Sequence, residues 1–163
     1  MEKTIANIHR QWLIAKEQMR QRCEQAHNTD MAHKLAICEM FKGTETLPEL
    51  AELFTSPQGL EFCLAAGFPN LATLRIFKRH NPQRFGVYID AGEITLHNPQ
   101  RAILIGKTHA TIKCDTCENH LIVTMHGASA TVLASGWAVV ATKAGHGTNI
   151  TRRTTDNAII LQC

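Results

Sequence analysis

The feature that most restricts the fold of this 163-residue chain is a rhythm in its second half. Ala-x-aliphatic triplets start at Ala102, Ala110, Ala130, Ala138 and Ala158, so the interval alternates between 8 and 20. They fall in or beside short apolar runs, such as Ala102-Ile103-Leu104-Ile105 and Ala130-Thr131-Val132-Leu133, bounded by turn residues. Such runs read as strands. One short and one long interval together make a repeat of 28, and the same offset carries Ile94 onto Ile122 and Ile150, and Leu104 onto Val132 and Ile160. Turns keep the phase, since Gly106-Lys107-Thr108 falls on Ala134-Ser135-Gly136. A fixed period holding three short strands and three corners describes one coil of a β-solenoid, with small and branched residues stacked in columns inside. On that reading Ala102, Ala130 and Ala158 lie over one another. The competing architecture is an antiparallel β-sandwich with evenly spaced hairpins.

The first half has a different grammar. Ile5, Ile8, Trp12, Met19 and Cys23 recur at three-and-four spacing, which predicts an amphipathic helix. Asn28 and Asp30 offer a cap for a second helix carrying Met31, Leu35, Cys38 and Met40, with Gly43 as its stop. Thr46 and Ser56 precede Pro48 and Pro57, which suit first helical turns, so helices are expected over about 48–54 and 57–66, the latter ending at Gly67. A further helix is expected over about 69–79, with Phe54, Phe62, Phe68 and Phe77 as the core. The predicted class is therefore α+β, with residues 1–85 a helical region and 86–163 a short β-solenoid.

Charge excludes a strongly basic nucleic-acid-binding field, because 17 Lys and Arg against 14 Asp and Glu leave only +3. No window reaches the roughly twenty apolar residues a membrane span needs, and Met1-Glu2-Lys3-Thr4 opens no signal peptide, so a cytoplasmic location is expected. Six dispersed cysteines read as thiols.

The segments Ser56-Pro57-Gln58-Gly59-Leu60-Glu61-Phe62-Cys63, Gly86-Val87-Tyr88-Ile89-Asp90-Ala91-Gly92, His126-Gly127-Ala128 and Gly136-Trp137-Ala138-Val139-Val140 resemble an uncharacterised family of small gut-bacterial proteins often carried on mobile elements. The resemblance covers most of the chain. It implies a genomic context and brings no activity, cofactor or catalytic residues.

The sharpest chemical constellation is Cys114, Cys117 and His120, a C-x2-C-x2-H run at a predicted corner. Two thiolates and an imidazole at that spacing can hold zinc, and the 28-residue offset places His146 over Glu118 in the next coil as a candidate fourth ligand. No second ligand pair follows, so reduced and dispensable thiols are the preferred reading, and no cofactor is expected. No Ser/His/Asp set or carboxylate pair recurs on one face, and no catalytic residue is assigned. The run from Gly59 through Gly67 to Arg75, Lys78 and Arg79 fits a DNA-binding helix-turn-helix imperfectly and is better read as an ordinary helical cap.

Alternation along the strands leaves an apolar outward row, Ile103, Ile105, Leu133, Ile159 and Leu161, where a solvated face would be polar. These are the candidate interface residues. The expected function is a non-enzymatic protein-binding or assembly module that meets itself, as a homodimer or higher oligomer, or another protein. No membrane or nucleic-acid partner is expected. The alternatives are a mobile-element-encoded inhibitor or regulator of a host factor, and a small zinc protein or enzyme centred on Cys114, Cys117 and His120.

Overall fold

A computed structural model of the chain describes residues 2–163. The chain forms two compact units, divided between Thr73 and Leu74. That boundary lies upstream of residue 85, where the local structure changes from helix to strand.

The first unit is helical. Helix α1 (Glu2–Gln25) buries Ile5, Ile8 and Trp12, as its periodicity demands. Helix α2 (Thr29–Ile37) starts where Asn28 caps it, its side chain accepting from Met31 N at 3.1 Å. It stops at Ile37, earlier than the sequence predicts, and Cys38 and Met40 lie beyond it with Cys38 extended. Gly43 sits at φ 82°, and a Cβ there would come within 2.7 Å of the His9 ring, so this glycine permits a close approach. Helix α3 (Leu47–Thr55) opens with the Glu49 carboxylate accepting from both N and Oγ1 of Thr46 at 2.7 Å, which holds the Glu49 carboxyl below its ordinary value. In α4 (Pro57–Ala66), Ser56 Oγ accepts from Gly59 N at 3.0 Å and Gly67 closes the helix in the left-handed region. Helix α5 (Leu71–Ile76) is shorter than expected and runs across the division. The aromatic core is centred on Trp12, with ring centroids 5.7 Å from His9, 5.9 Å from Phe41 and 6.4 Å from Phe62. Phe41 joins this core without a periodic signal to announce it, whereas Phe77 belongs to the other unit.

The second unit passes from α5 through two 3-10 turns, Phe77–His80 and Pro82–Phe85, into nine strands. These are β1 (Val87–Ile89), β2 (Gly92–His97), β3 (Arg101–Ile105), β4 (Thr108–Cys114), β5 (Asn119–Met125), β6 (Ser129–Ala134), β7 (Val139–Ala144), β8 (Asn149–Thr154) and β9 (Ile159–Gln162). Odd-numbered strands form one sheet in the order β1-β3-β5-β7-β9, and even-numbered strands form the other in the order β2-β4-β6-β8. Every strand pairing is parallel, so the chain winds as a β-solenoid of about four coils and is no antiparallel sandwich.

The coil itself differs from the expected one. It contains two strands, and the numbering advances by 20 from each coil to the next: Arg101 pairs with Leu121, Leu121 with Ala141 and Ala141 with Leu161. The first coil is shorter, pairing Val87 with Ile103 at a step of 16. The difference lies in one corner, because the chain advances by 4 from His97 to Arg101 and by 8 between their partners Lys113 and Leu121. The period of 28 is a full coil plus a crossing of 8 from one sheet to the other. Ala130 therefore lies between Ala110 and Ile150, and Ala102 pairs with Ile122. All these residues still face inward, where Leu104, Ile112, Ile122, Val132 and Val140 fill the interior with no exposure. Gly86 admits the second coil closely, since a Cβ on it would stand 2.5 Å from Arg101 O.

Candidate interaction surfaces

The corner after β4 holds the three zinc candidates and does not gather them. Cys114 points into the interior with no exposure, and burial, with a smaller contribution from Asp115, pushes its thiol up to about 11. Cys117 is exposed at the turn. His120 is buried, and its Nδ1 lies 2.8 Å from Pro99 O, an acceptor only, so that nitrogen carries the proton and donates. Its Nε2 lies 3.5 Å from Thr116 Oγ1. His146 sits one coil beyond His126 and is not placed over Glu118, whose carbonyl accepts from Val139 N. Among the described residues no three His, Cys, Asp or Glu side chains are placed to hold a metal ion. His120 is a structural histidine that ties one coil to the next.

The outer face of the odd-numbered sheet is largely apolar, interrupted by Arg101 in the Leu121, Ala141 and Leu161 column and by Lys143 beyond Val123, and its exposure changes from coil to coil. Val87, Ile103 and Val123 share one column of the register and Ile89, Ile105 and Met125 another, and all six are buried in the single chain. Ile103 and Ile105 are thus corrected from interface residues to fully covered ones. Leu133 lies on the other sheet, between Lys113 and Arg153, and is separate from the row. In the last coils the apolar face opens to solvent. Leu121, Val139 and Ala141 are half-buried, while Ile159 and Leu161 are 53% and 49% exposed. Trp137, in the corner leading into β7, is 66% exposed. The sequence pattern does not single it out, because a tryptophan beside a turn glycine belongs to no strand alternation.

The outer face of the even-numbered sheet is polar apart from Leu133. The register stacks Thr95, Thr111, Thr131 and Thr151 in one column. Glu93, His109, Ser129 and Asn149 form the column beside it, with His109 Nδ1 2.8 Å from Ser129 Oγ. Between the two columns runs an open groove of about 490 Å³.

Two of the three basic residues that suggested a helix-turn-helix, Arg75 and Lys78, are engaged by the first corner of the solenoid, while Arg79 Nε donates to His80 Nε2 at 3.3 Å. Arg75 Nε donates to Asp90 Oδ2 at 2.6 Å, and Lys78 Nζ donates to the Asp90 carbonyl at 2.8 Å. Asp90 also accepts from Lys107 N at 2.8 Å. The Arg75 guanidinium and then the Lys107 N–H hold the Asp90 carboxyl down at about 2. No helix among the described residues is long and apolar enough to cross a membrane. No protein-family model matches the chain, and no curated protein or solved structure matches it either.

Proposed function

We propose that this protein is a non-enzymatic binding and assembly module that associates with a second copy through the last coils of its odd-numbered sheet. One observation carries the reading: Ile159 and Leu161 expose two branched aliphatic side chains on the last strand of a sheet whose first apolar residues, Val87, Ile89, Ile103 and Ile105, are buried, and Trp137 exposes a large aromatic in the corner leading into that sheet's β7. Each such side chain left in water forgoes roughly 1.5–3 kcal/mol. Exposed tryptophan is also among the residue types most often responsible for interface affinity. A second copy is the favoured occupant because β9 is the edge of its sheet and presents unpaired backbone groups beside the patch. A two-fold axis there meets the same apolar surface on the partner.

Light scattering on the full chain across a concentration series tests this. The expected result is a mass twice 18.1 kDa that Trp137→Ser/Ile159→Ser reduces to the monomer with an unchanged circular dichroism spectrum. A soluble monomer at every concentration overturns it.

A further inference from the structure

The geometry points to the threonine-lined groove of the even-numbered sheet as a binding site for a neutral, extended glycan. This site is on the sheet opposite the proposed assembly patch and does not depend on it.

The lining chemistry selects the class. Thr95, Thr111, Thr131, Thr151 and Ser129 supply hydroxyls that both donate and accept, and Asn149 supplies an amide that does the same. That is the hydrogen-bonding character of sugar hydroxyls. The one formal charge is the carboxylate of Glu93, and among the described residues no lysine or arginine lines the groove. A phosphate polymer or polyuronate lying along the groove would meet this carboxylate, while the cations of the same face, Lys113 and Arg153, stand one column beyond the threonines and outside the lining. An apolar ligand would strip water from polar groups without replacing their bonds.

The shape selects the form. Strands lie about 4.8 Å apart, so four rungs place their hydroxyls along a line of about 14 Å parallel to the solenoid axis. One sugar spans a fraction of that line, whereas an extended oligosaccharide reaches several rungs at once. Branched threonines on strands hold their hydroxyls in few rotamers, and the His109–Ser129 hydrogen bond ties two residues of the neighbouring column, which limits the side-chain entropy lost on binding. Among the described residues no Phe, Tyr or Trp lines the groove, so affinity rests mainly on hydrogen bonds and binding is weak.

Amide shift mapping of the 15N-labelled full chain suits such affinities. Cellohexaose and xylohexaose are the neutral probes, and hexagalacturonate is the charged one. The expected result is a saturable set of shifts centred on the amides of Thr95, Thr111, Thr131 and Thr151 with a neutral hexasaccharide, and weaker shifts with hexagalacturonate. Thr111→Val/Thr131→Val keeps the branched strand residues, and its otherwise unchanged spectrum reports folding. It should weaken binding about tenfold or more, since each hydrogen bond lost costs about 3- to 10-fold. Thr111→Ser/Thr131→Ser, which keeps the hydroxyls, should bind close to the wild type. Absence of localised shifts with both neutral probes overturns the proposal. So does tighter binding of the charged hexamer, or a valine variant that binds as well as the parent.

Discussion

Arg152 Nε donates to Thr142 Oγ1 at 2.9 Å across the interior of the last coil, and Thr142 in turn donates to Leu161 O at 2.8 Å. Arg152 occupies the column below it filled by Leu96, Ile112 and Val132, so an aliphatic stack ends in a guanidinium. A second donation, to Ile150 O at 3.2 Å, holds it there. Arg152→Ala should cost roughly 1–2 kcal/mol, because it removes a charged donor and the stem that packs on Val132. Arg152→Leu should recover part of that loss by continuing the aliphatic column. Urea denaturation of the three proteins checks the order, and an alanine variant as stable as the parent would show that the column closes without Arg152.

Asp90 makes the stability of the solenoid's first corner depend on acid. Its carboxyl is lowered from an ordinary 3.8 to about 2 by Arg75 and then by the Lys107 N–H, so the folded state favours the ionised form. A depressed folded value contributes stability that is complete above the unfolded value near 4 and is lost as pH falls toward 2. Asp90→Asn tolerates the positive φ of 45° at this position and has no such titration. The variant should be less stable at neutral pH, and the gap should close between about pH 4 and 2. Thermal melts across that range measure it, and parallel curves for the two proteins would remove Asp90 from the acid response.

Much of this architecture is legible in the residues, and the part that is not has a physical reason. Ser56, Pro57 and Gly67 mark α4 because caps and stops are local chemistry. Strand alternation is equally local, so the inward positions Ala102, Leu104, Ala130 and Val132 are readable. Which strand lies beside which is not local. Crossings of 8 and coils of 20 both recur, so their sum of 28 recurs as well, and periodicity alone does not say which interval is the coil. The same limit hides the fate of Ile103, since alternation marks an apolar outward face without naming what covers it. The threonine groove escapes for that reason too: Thr95, Thr111, Thr131 and Thr151 form a line only once the register is 16, 20 and 20.

Ala130→Phe tests the register of the coil directly. Ala130 is buried between Ala110 and Ile150, and a phenyl ring there overpacks the column by roughly 1–3 kcal/mol or more. Ile150→Ala opens space beside it, so the double variant should be more stable than the sum of the single losses. Ala158→Gly, at the neighbour expected from the longer repeat, should show no such coupling. Coupling to residue 158 instead of residue 150 would restore that repeat.

The cysteines should separate by reactivity. Cys114 and Cys63 are buried, with thiols raised by burial to about 11 and about 12, while Cys117 and Cys163 are exposed. Iodoacetamide at pH 8 should label Cys117 and Cys163 in the native protein and reach Cys114 and Cys63 only in denaturant. Cys117→Ser should leave the melting temperature unchanged. Cys114→Ser places a hydroxyl in an apolar interior and should cost about 1–3 kcal/mol, so the two cysteines are not equally dispensable. Native labelling of Cys114 by mass spectrometry would show that the corner after β4 opens.

Trp137 offers a readout of assembly that needs no label. The chain has two tryptophans, and Trp12 is buried among His9, Phe41 and Phe62, so iodide-quenchable emission comes from Trp137. At dilutions where the monomer dominates, that emission should lie at the wavelength of an indole in water. As concentration rises and a second copy covers the patch, it should move to shorter wavelength and lose its sensitivity to iodide. Trp137→Ala should raise the dissociation constant about 30-fold, the equivalent of the roughly 2 kcal/mol typical of a tryptophan at an interface centre. Leu133→Ser, on the opposite sheet, should leave it unchanged. Emission that stays red and quenchable at every concentration, with a monomer mass throughout, would mean that this end of the sheet serves no self-association.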